Sequence, residues 1–195
     1  MRHPIRSPCT TRRALLLVGA LACLPARATE RPIDVALRAA AERNDLAAFE
    51  SLLRQGADVN ARDAQQDSAF LLASRNGHAA LVRVALAAGA DIRALNRYGS
   101  TALMGPAYRG HVETVRVLLA TPIDIHHVNN LGWTVLLEAI VLGTDGAAHR
   151  EIVRLLIERG CDVNARDRNN ATALQIAEQR EQAEVARMLR AAGAK

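Results

Sequence analysis

Aromatic side chains are scarce in this sequence of 195 residues. Phe, Trp and Tyr account for 3% of it, whereas hydrophobic residues of all kinds account for 50%. A core must therefore be assembled mainly from Ala, Leu, Val and Ile. This composition favours thin, closely packed helices over a sandwich or a barrel.

The apolar run at 14–24 is too short to span a bilayer, since it has about 11 residues where roughly 20 are needed. A basic stretch that ends in Arg12-Arg13 precedes the run, and a small-x-small triplet at 26–28 follows it. This is the layout of a secretory signal peptide. We expect residues 1–28 to be cleaved, giving a periplasmic or secreted bacterial protein whose mature chain has no membrane span.

Two alternatives concern the export of the chain. Arg12-Arg13 fits a twin-arginine signal and an ordinary signal equally well, so the Sec and Tat routes both stay open. A lipoprotein anchor at Cys23 is the weaker hypothesis. Ala20 stands where leucine is expected, three residues before the cysteine that would carry the lipid.

Acidic residues are absent from the first 28 positions, and the excess positive charge of the chain belongs to that segment. It holds five of the 25 Lys and Arg side chains, which leaves 20 against 20 Asp and Glu. The remaining basic residues are interspersed with acids, whereas a surface that follows phosphates needs a positive excess. We therefore expect no nucleic-acid partner.

Motifs of catalysis and cofactor binding are missing. The sequence has no glycine-rich nucleotide loop, no Gly-x-Ser-x-Gly elbow and no His-Glu-x-x-His zinc motif. We predict that the protein is not an enzyme and binds no cofactor.

The chain has internal repetition instead. Residues 56–63 read GADVNARD, residues 89–92 read GADI and residues 160–167 read GCDVNARD. The first two copies begin 33 residues apart, a degenerate copy begins at Pro122 after another 33, and the last follows after 38. A fixed period of this length indicates a stack of helical units.

A second recurring feature is a hydroxyl residue ahead of an apolar segment, at Ser68, Thr101, Thr134 and Thr172. Side-chain oxygens of this kind accept hydrogen bonds from the free N–H groups of a helix start, so we predict that these four residues are N-caps. In the third unit, Pro106 is expected to restrict the start of the helix.

These linked motifs resemble the ankyrin repeat, which has a period of 33 residues and the signature Thr-Pro-Leu-His-x-Ala. The resemblance covers roughly residues 34–195, although no copy keeps the proline or the histidine of the signature. It implies an all-α repeat solenoid of about five helix-turn-helix units with short β-hairpin-like fingers, within a repeat domain at 29–195. The units are expected at about 34–62, 63–95, 96–128, 129–166 and 167–195.

In ankyrin-like stacks the finger tips and first helices line a concave face that binds other proteins. Together with the predicted export signal, the resemblance therefore implies an exported protein–protein interaction module that binds a periplasmic partner protein and protects or inhibits it. We expect the binding residues to be Arg75, Arg97, Tyr98, Tyr108, Arg109, Trp133 and Glu138. Alternatively, Tyr108 and Trp133 only cover neighbouring fingers.

A small-ligand or metal-binding stack is the alternative function, and it would use Asp124, His126 and His127. Adjacent residues of an extended segment point in opposite directions, so we expect no metal there. The other histidines of the repeats occupy one position in successive units, where the histidine of the family bonds neighbouring backbone. These are His78, His111 and His149.

Two further features are left open or given a structural role. Five residues are inserted at 144–148, in a loop that either serves binding or has drifted. Cysteines 9 and 23 leave with the signal, so the remaining Cys161 cannot form an intramolecular disulfide. Because Cys161 takes the repeat position of Ala57 and Ala90, we expect it to be a small packed residue.

Overall fold

The computed structural model of the protein describes residues 30–195, so the predicted signal peptide at 1–28 lies outside the described residues. The described chain forms ten α-helices and no strand. The ten helices are α1 (Pro32–Glu42), α2 (Leu46–Arg54), α3 (Ala69–Arg75), α4 (Ala79–Ala87), α5 (Met104–Arg109), α6 (Val112–Leu119), α7 (Val135–Leu142), α8 (Ala147–Glu158), α9 (Ala173–Gln179) and α10 (Ala183–Ala191).

The helices stack as two parallel rows. Within each pair, the first helix packs on the second, as α3 does on α4 and α9 on α10. First helices also pack on first helices along the chain, and second helices on second helices. The predicted all-α repeat solenoid is thus confirmed, with five helix pairs in residues 30–195.

The core lies between the two rows. Phe70 and Leu137 of the first row and Leu81, Leu118 and Leu156 of the second are fully buried. Alanines fill the positions between them, which is how a chain so poor in aromatics brings its helices together. Burial of each large aliphatic side chain contributes roughly 1.5–3 kcal/mol. No single pair could bury this surface alone, so the stack is the stable unit.

The repeated asparagine of the GADVNARD stretch bridges successive units. Asn60 donates from Nδ2 to the Gly89 carbonyl at 3.0 Å and accepts from the Asp91 N–H at 2.7 Å. Asn164 makes the equivalent contact with the N–H of Lys195 at 2.9 Å. Each bridge satisfies backbone groups that the end of a second helix leaves open.

Three of the four predicted N-caps are confirmed. The side chains of Ser68, Thr134 and Thr172 each accept a hydrogen bond at 3.3 Å from the N–H three residues later. Thr172 is also part of a full capping box, because the Gln175 side chain accepts from its N–H.

The prediction that Thr101 caps a helix is wrong. Helix α5 begins at Met104, and its N-cap residue is Leu103. A start at Ala102 would place Pro106 where its missing N–H should bond the Ala102 carbonyl, and its ring would clash there. The later start puts Pro106 in the first turn, where no N–H is required.

The insert at 144–148 fastens the last helix pair to the one before it. Asp145 accepts hydrogen bonds from the N–H groups of Glu184 at 3.1 Å and Val185 at 3.3 Å, in the first turn of α10. Gln182 precedes that helix and donates from Nε2 to the Ile140 carbonyl at 3.0 Å. The insert therefore has a structural role in residues 30–195, which its sequence did not indicate.

No described helix is long and apolar enough to cross a membrane.

Candidate protein-binding groove

A groove of about 690 Å³ runs over the fingers and first helices of the second, third and fourth units. Its lining comes from α3, α5 and α7, from the finger segments ahead of these helices and from the end of α1, and none of it comes from the second row. Six of the seven predicted binding residues line it, namely Arg75, Arg97, Tyr98, Tyr108, Arg109 and Glu138.

Each finger that borders the groove is closed by one Asp or Asn side chain. Asn96 Oδ1 accepts from the N–H groups of Tyr98 at 2.9 Å and Ser100 at 3.1 Å. Asp63, Asn129 and Asp167 close their own fingers in the same way. These residues were not predicted from the sequence, although they recur with the same spacing as the repeats and could have been found from it.

Two arginines of the groove stack on the tyrosine next to them. The guanidinium of Arg97 lies 4.7 Å from the centre of the Tyr98 ring and donates to its hydroxyl at 2.7 Å. Arg109 lies 5.3 Å from the centre of the Tyr108 ring and donates to that hydroxyl at 2.9 Å. Each pair presents an aromatic face and a positive charge together, a combination common at the energetic centres of protein interfaces. Tyr98 is the more open of the two, with 49% of its surface exposed.

An ion pair lies at one end of the groove. Arg75 Nη1 is 3.0 Å from Asp67 Oδ2. Burial raises the pKa of the Asp67 carboxyl, and Arg75 works against that increase by stabilising the charged form. The finger and the helix α3 are thereby joined across the end of the groove.

Glu138 is the most unusual residue of the groove. It lies on α7, is 6% exposed and has a pKa raised to about 7, mainly because burial disfavours its charged form. Asn129 donates from Nδ2 to Glu138 Oε2 at 2.8 Å and to Ser100 Oγ at 3.2 Å. The bond to Asn129 lowers the pKa and only partly offsets the effect of burial.

Trp133 is the predicted binding residue that the structure does not bring to the groove. Its side chain is partly buried and packs against the hydrophobic core. The backbone N–H of Trp133 donates to Asn129 Oδ1 at 3.1 Å and so helps to close the finger. Trp133 thus packs on the core and is not part of the groove lining.

The repeat histidines mostly make structural contacts. His149 Nε2 lies 2.8 Å from the Tyr108 carbonyl, in the preceding unit, as the resemblance implies. The ring of His111 instead lies against Gly77. His78 Nε2 is buried and has no hydrogen-bond partner among residues 30–195.

The metal-binding alternative gains no support from the described chain. His127 Nε2 lies 2.7 Å from the Gly99 carbonyl, and the N–H of His126 donates to Asp124 Oδ1 at 2.9 Å. No group of three or more His, Cys, Asp or Glu side chains in residues 30–195 is placed to hold a metal ion.

Cys161 is buried in the core as expected, and burial raises the pKa of its thiol to about 11.

A double row of short helix pairs, with a groove across its fingers and first helices, defines a helical-repeat binding scaffold. The family model described as Ankyrin repeats (3 copies) matches residues 37–129 and 104–195. The chain therefore belongs to the ankyrin repeat family. Proteins of this family are protein–protein interaction modules and are generally not enzymes.

Two relatives support the assignment. The chain is 46% identical to an ankyrin repeat domain of Acinetobacter baumannii AYE known from a crystal structure, with a TM-score of 0.78, over 82% of this chain and 81% of that one. It is also 44% identical over 59 residues to the ankyrin repeat protein YahD of Escherichia coli (strain K12). That match covers 30% of this chain and 29% of YahD, so it spans less than a third of this relative.

Proposed function

We propose that the protein is exported to the periplasm, where it binds a partner protein through the groove and protects or inhibits it. The observation that carries the proposal is the composition of the groove. Two arginine–tyrosine pairs, the exposed Leu131 and Leu142 and a buried acid line one continuous surface. Mixed aromatic, apolar and charged linings of this kind suit a protein surface better than a small metabolite.

The fold needs few of these side chains. Tyr98 and Leu142 are each 49% exposed, and the helices of their units are already held by buried aliphatic residues. Large exposed side chains that contribute little to the core are available for a partner. Binding without catalysis is consistent with the general character of the family.

Export is supported by the sequence of residues 1–28. The test is to express the full chain in a Gram-negative host, fractionate the cells and determine the mass of the protein. We expect a periplasmic protein that begins at Thr29. A protein that stays cytoplasmic at full length would contradict this part of the proposal.

Partner binding is tested by capture on the immobilised protein from periplasmic extract of the source bacterium, followed by affinity measurement with the purified partner. We expect Tyr98→Ala to weaken binding about tenfold or more, as for a central interface aromatic. The matched control is Arg187→Ala on α10, which removes an exposed side chain of the second row. Equal loss in both variants, or in neither, would contradict binding through the groove.

A further inference from the structure

Glu138 occupies a position that the sister units fill with apolar residues or leave empty. Counted from the residue that closes each finger, its equivalents are Leu72, Gly105 and Ile176. The stack therefore builds this part of a first helix equally well without a carboxyl group. An acid at a site that is 6% exposed costs folding free energy that a leucine at the same site would not cost.

The carboxyl group has no cation among residues 30–195. The other buried acids do: Asp34 lies 3.2 Å from Arg31 and Asp67 lies 3.0 Å from Arg75. Glu138 makes no ion pair with any described residue, and Asn129 bonds only its Oε2. Its Oε1 is left without a hydrogen-bond partner in the described chain.

The three arginines that line the groove have other partners. Arg97 and Arg109 each donate to a neighbouring tyrosine hydroxyl, and Arg75 pairs with Asp67. None of these three arginines forms an ion pair with Glu138, although all of these residues share one lining.

Space for a ligand group is present beside the acid. Glu138 lines the groove of about 690 Å³ together with residues of α5, which packs directly on α7. Tyr98, Leu131 and Leu142 lie on the same surface with exposed fractions between 46% and 49%. A buried acid that shares a groove with exposed apolar side chains is complementary to a long side chain that carries a positive charge at its end.

We propose that Glu138 is the floor of a subsite for a lysine or arginine side chain of the partner protein, flanked in the partner by apolar residues that contact Tyr98, Leu131 and Leu142. The proposal rests on the groove being the partner-binding surface. The incoming ammonium or guanidinium group donates to Oε1, while Asn129 keeps Oε2 in place. The raised pKa of Glu138 agrees with a carboxyl group that lacks a cation until the partner supplies one.

The test uses short peptides in which only the central residue changes, acetyl-Gly-Leu-X-Leu-Gly-amide with lysine, norleucine or glutamate at X. Binding is followed by NMR titration of the protein as it is recovered from cells, at pH 8. We expect the lysine peptide to give saturable shifts in α7 and the neighbouring fingers. Its affinity should exceed that of the norleucine peptide about tenfold, as expected for one charge-assisted hydrogen bond. The glutamate peptide should bind most weakly.

Two variants of the acid separate charge from packing. Glu138→Gln keeps the shape and Glu138→Leu restores the residue found at the equivalent position 72. In both, the lysine peptide should bind no better than the norleucine peptide. Glu113→Gln, an exposed acid of the second row, is the matched control and should leave the preference intact.

The subsite proposal and the proposed function fail in different ways. Equal binding of the lysine and norleucine peptides, unchanged binding by Glu138→Gln, or no saturable binding of any peptide would overturn the subsite. If Tyr98→Ala still weakens partner capture in that case, the groove remains the binding surface. If Tyr98→Ala has no effect on capture, the proposed function fails whatever the peptides do.

Discussion

Asn129 and Glu138 are joined by a hydrogen bond of 2.8 Å between Nδ2 and Oε2. The same asparagine closes its finger through Oδ1, so one side chain fixes both a loop and the buried acid of the following helix. It also reaches the preceding finger at Ser100. The position of the acid in the groove is therefore set by the stacking of two fingers.

The buried acid should make the stability of the protein depend on pH. The pKa of Glu138 is about 7 in the folded chain, against an ordinary value of 4.5. Between these values the folded state holds a proton that the unfolded state has lost. The contribution of Glu138 to the free energy of unfolding thus falls as pH rises from about 4.5 to 7, by on the order of 3 kcal/mol, and changes little above pH 8.

Urea unfolding of the wild type and Glu138→Gln at pH 5 and pH 8 measures this contribution. The variant should lack this part of the pH dependence and be the more stable protein at pH 8. The other charged residues of the groove are the same in both proteins, so the difference between the two curves isolates Glu138. Identical pH dependence in both proteins would show that the carboxyl group is ionised normally in the fold.

Replacing Asn129 also tests the interaction between Asn129 and Glu138. Asn129→Asp preserves finger closure, because Asp63 and Asp167 close their fingers in the same way. It removes the donor to Glu138 and places a second acid against it, so we expect a loss of about 1–3 kcal/mol at pH 8. The double variant Asn129→Asp with Glu138→Leu should recover most of that loss. Additive effects of the two changes would mean that the residues are not coupled.

The insert should matter for the last helix pair. Asp145→Ala removes the acceptor for two N–H groups in the first turn of α10, for which we expect a loss of 0.5–2 kcal/mol, typical of a lost helix cap. Amide hydrogen exchange in α10 should therefore speed up, by about 5- to 30-fold for a loss of 1–2 kcal/mol. Glu178→Ala, which removes an exposed ion pair in the same unit, should change exchange far less. Unchanged exchange in Asp145→Ala would show that this contact does not hold the last unit.

The short helix α5 should lengthen when its proline is removed. In Pro106→Ala an N–H becomes available for the Ala102 carbonyl, so the helix can begin at Ala102 with Thr101 as its N-cap. Backbone chemical shifts of residues 102 and 103 should move towards helical values. If they stay as in the wild type, contacts of the third unit rather than Pro106 set the start of the helix.

The sequence predicts the repeat framework because that framework is local and periodic. Ser68, Thr134 and Thr172 cap helices as expected, since a cap depends only on its own first turn. Thr101 does not cap a helix, because Pro106, five residues later, prevents the helix from beginning at Ala102. Six groove residues could be assigned from the register, whereas Trp133 shares that register and packs on the core instead.

The repeat pattern of the sequence does not predict the contacts between units. Glu138 was expected on the binding face, but its burial and its raised pKa depend on how fingers and helices of successive units meet. The bond from Asp145 to α10 joins residues 39 and 40 positions apart, at an insert that breaks the period. The spacing of the repeats alone indicates neither the burial of Glu138 nor the contact between Asp145 and α10.

Photo-crosslinking in the periplasm tests the central claim, that the groove is the partner-binding surface, most directly. Benzoylphenylalanine is placed at Tyr98 and at Leu142 in the groove, and at Arg83 on α4 in the second row. We expect a partner adduct of the same mass from the two groove positions and none from position 83. Adducts from position 83 with none from positions 98 and 142 would contradict the account.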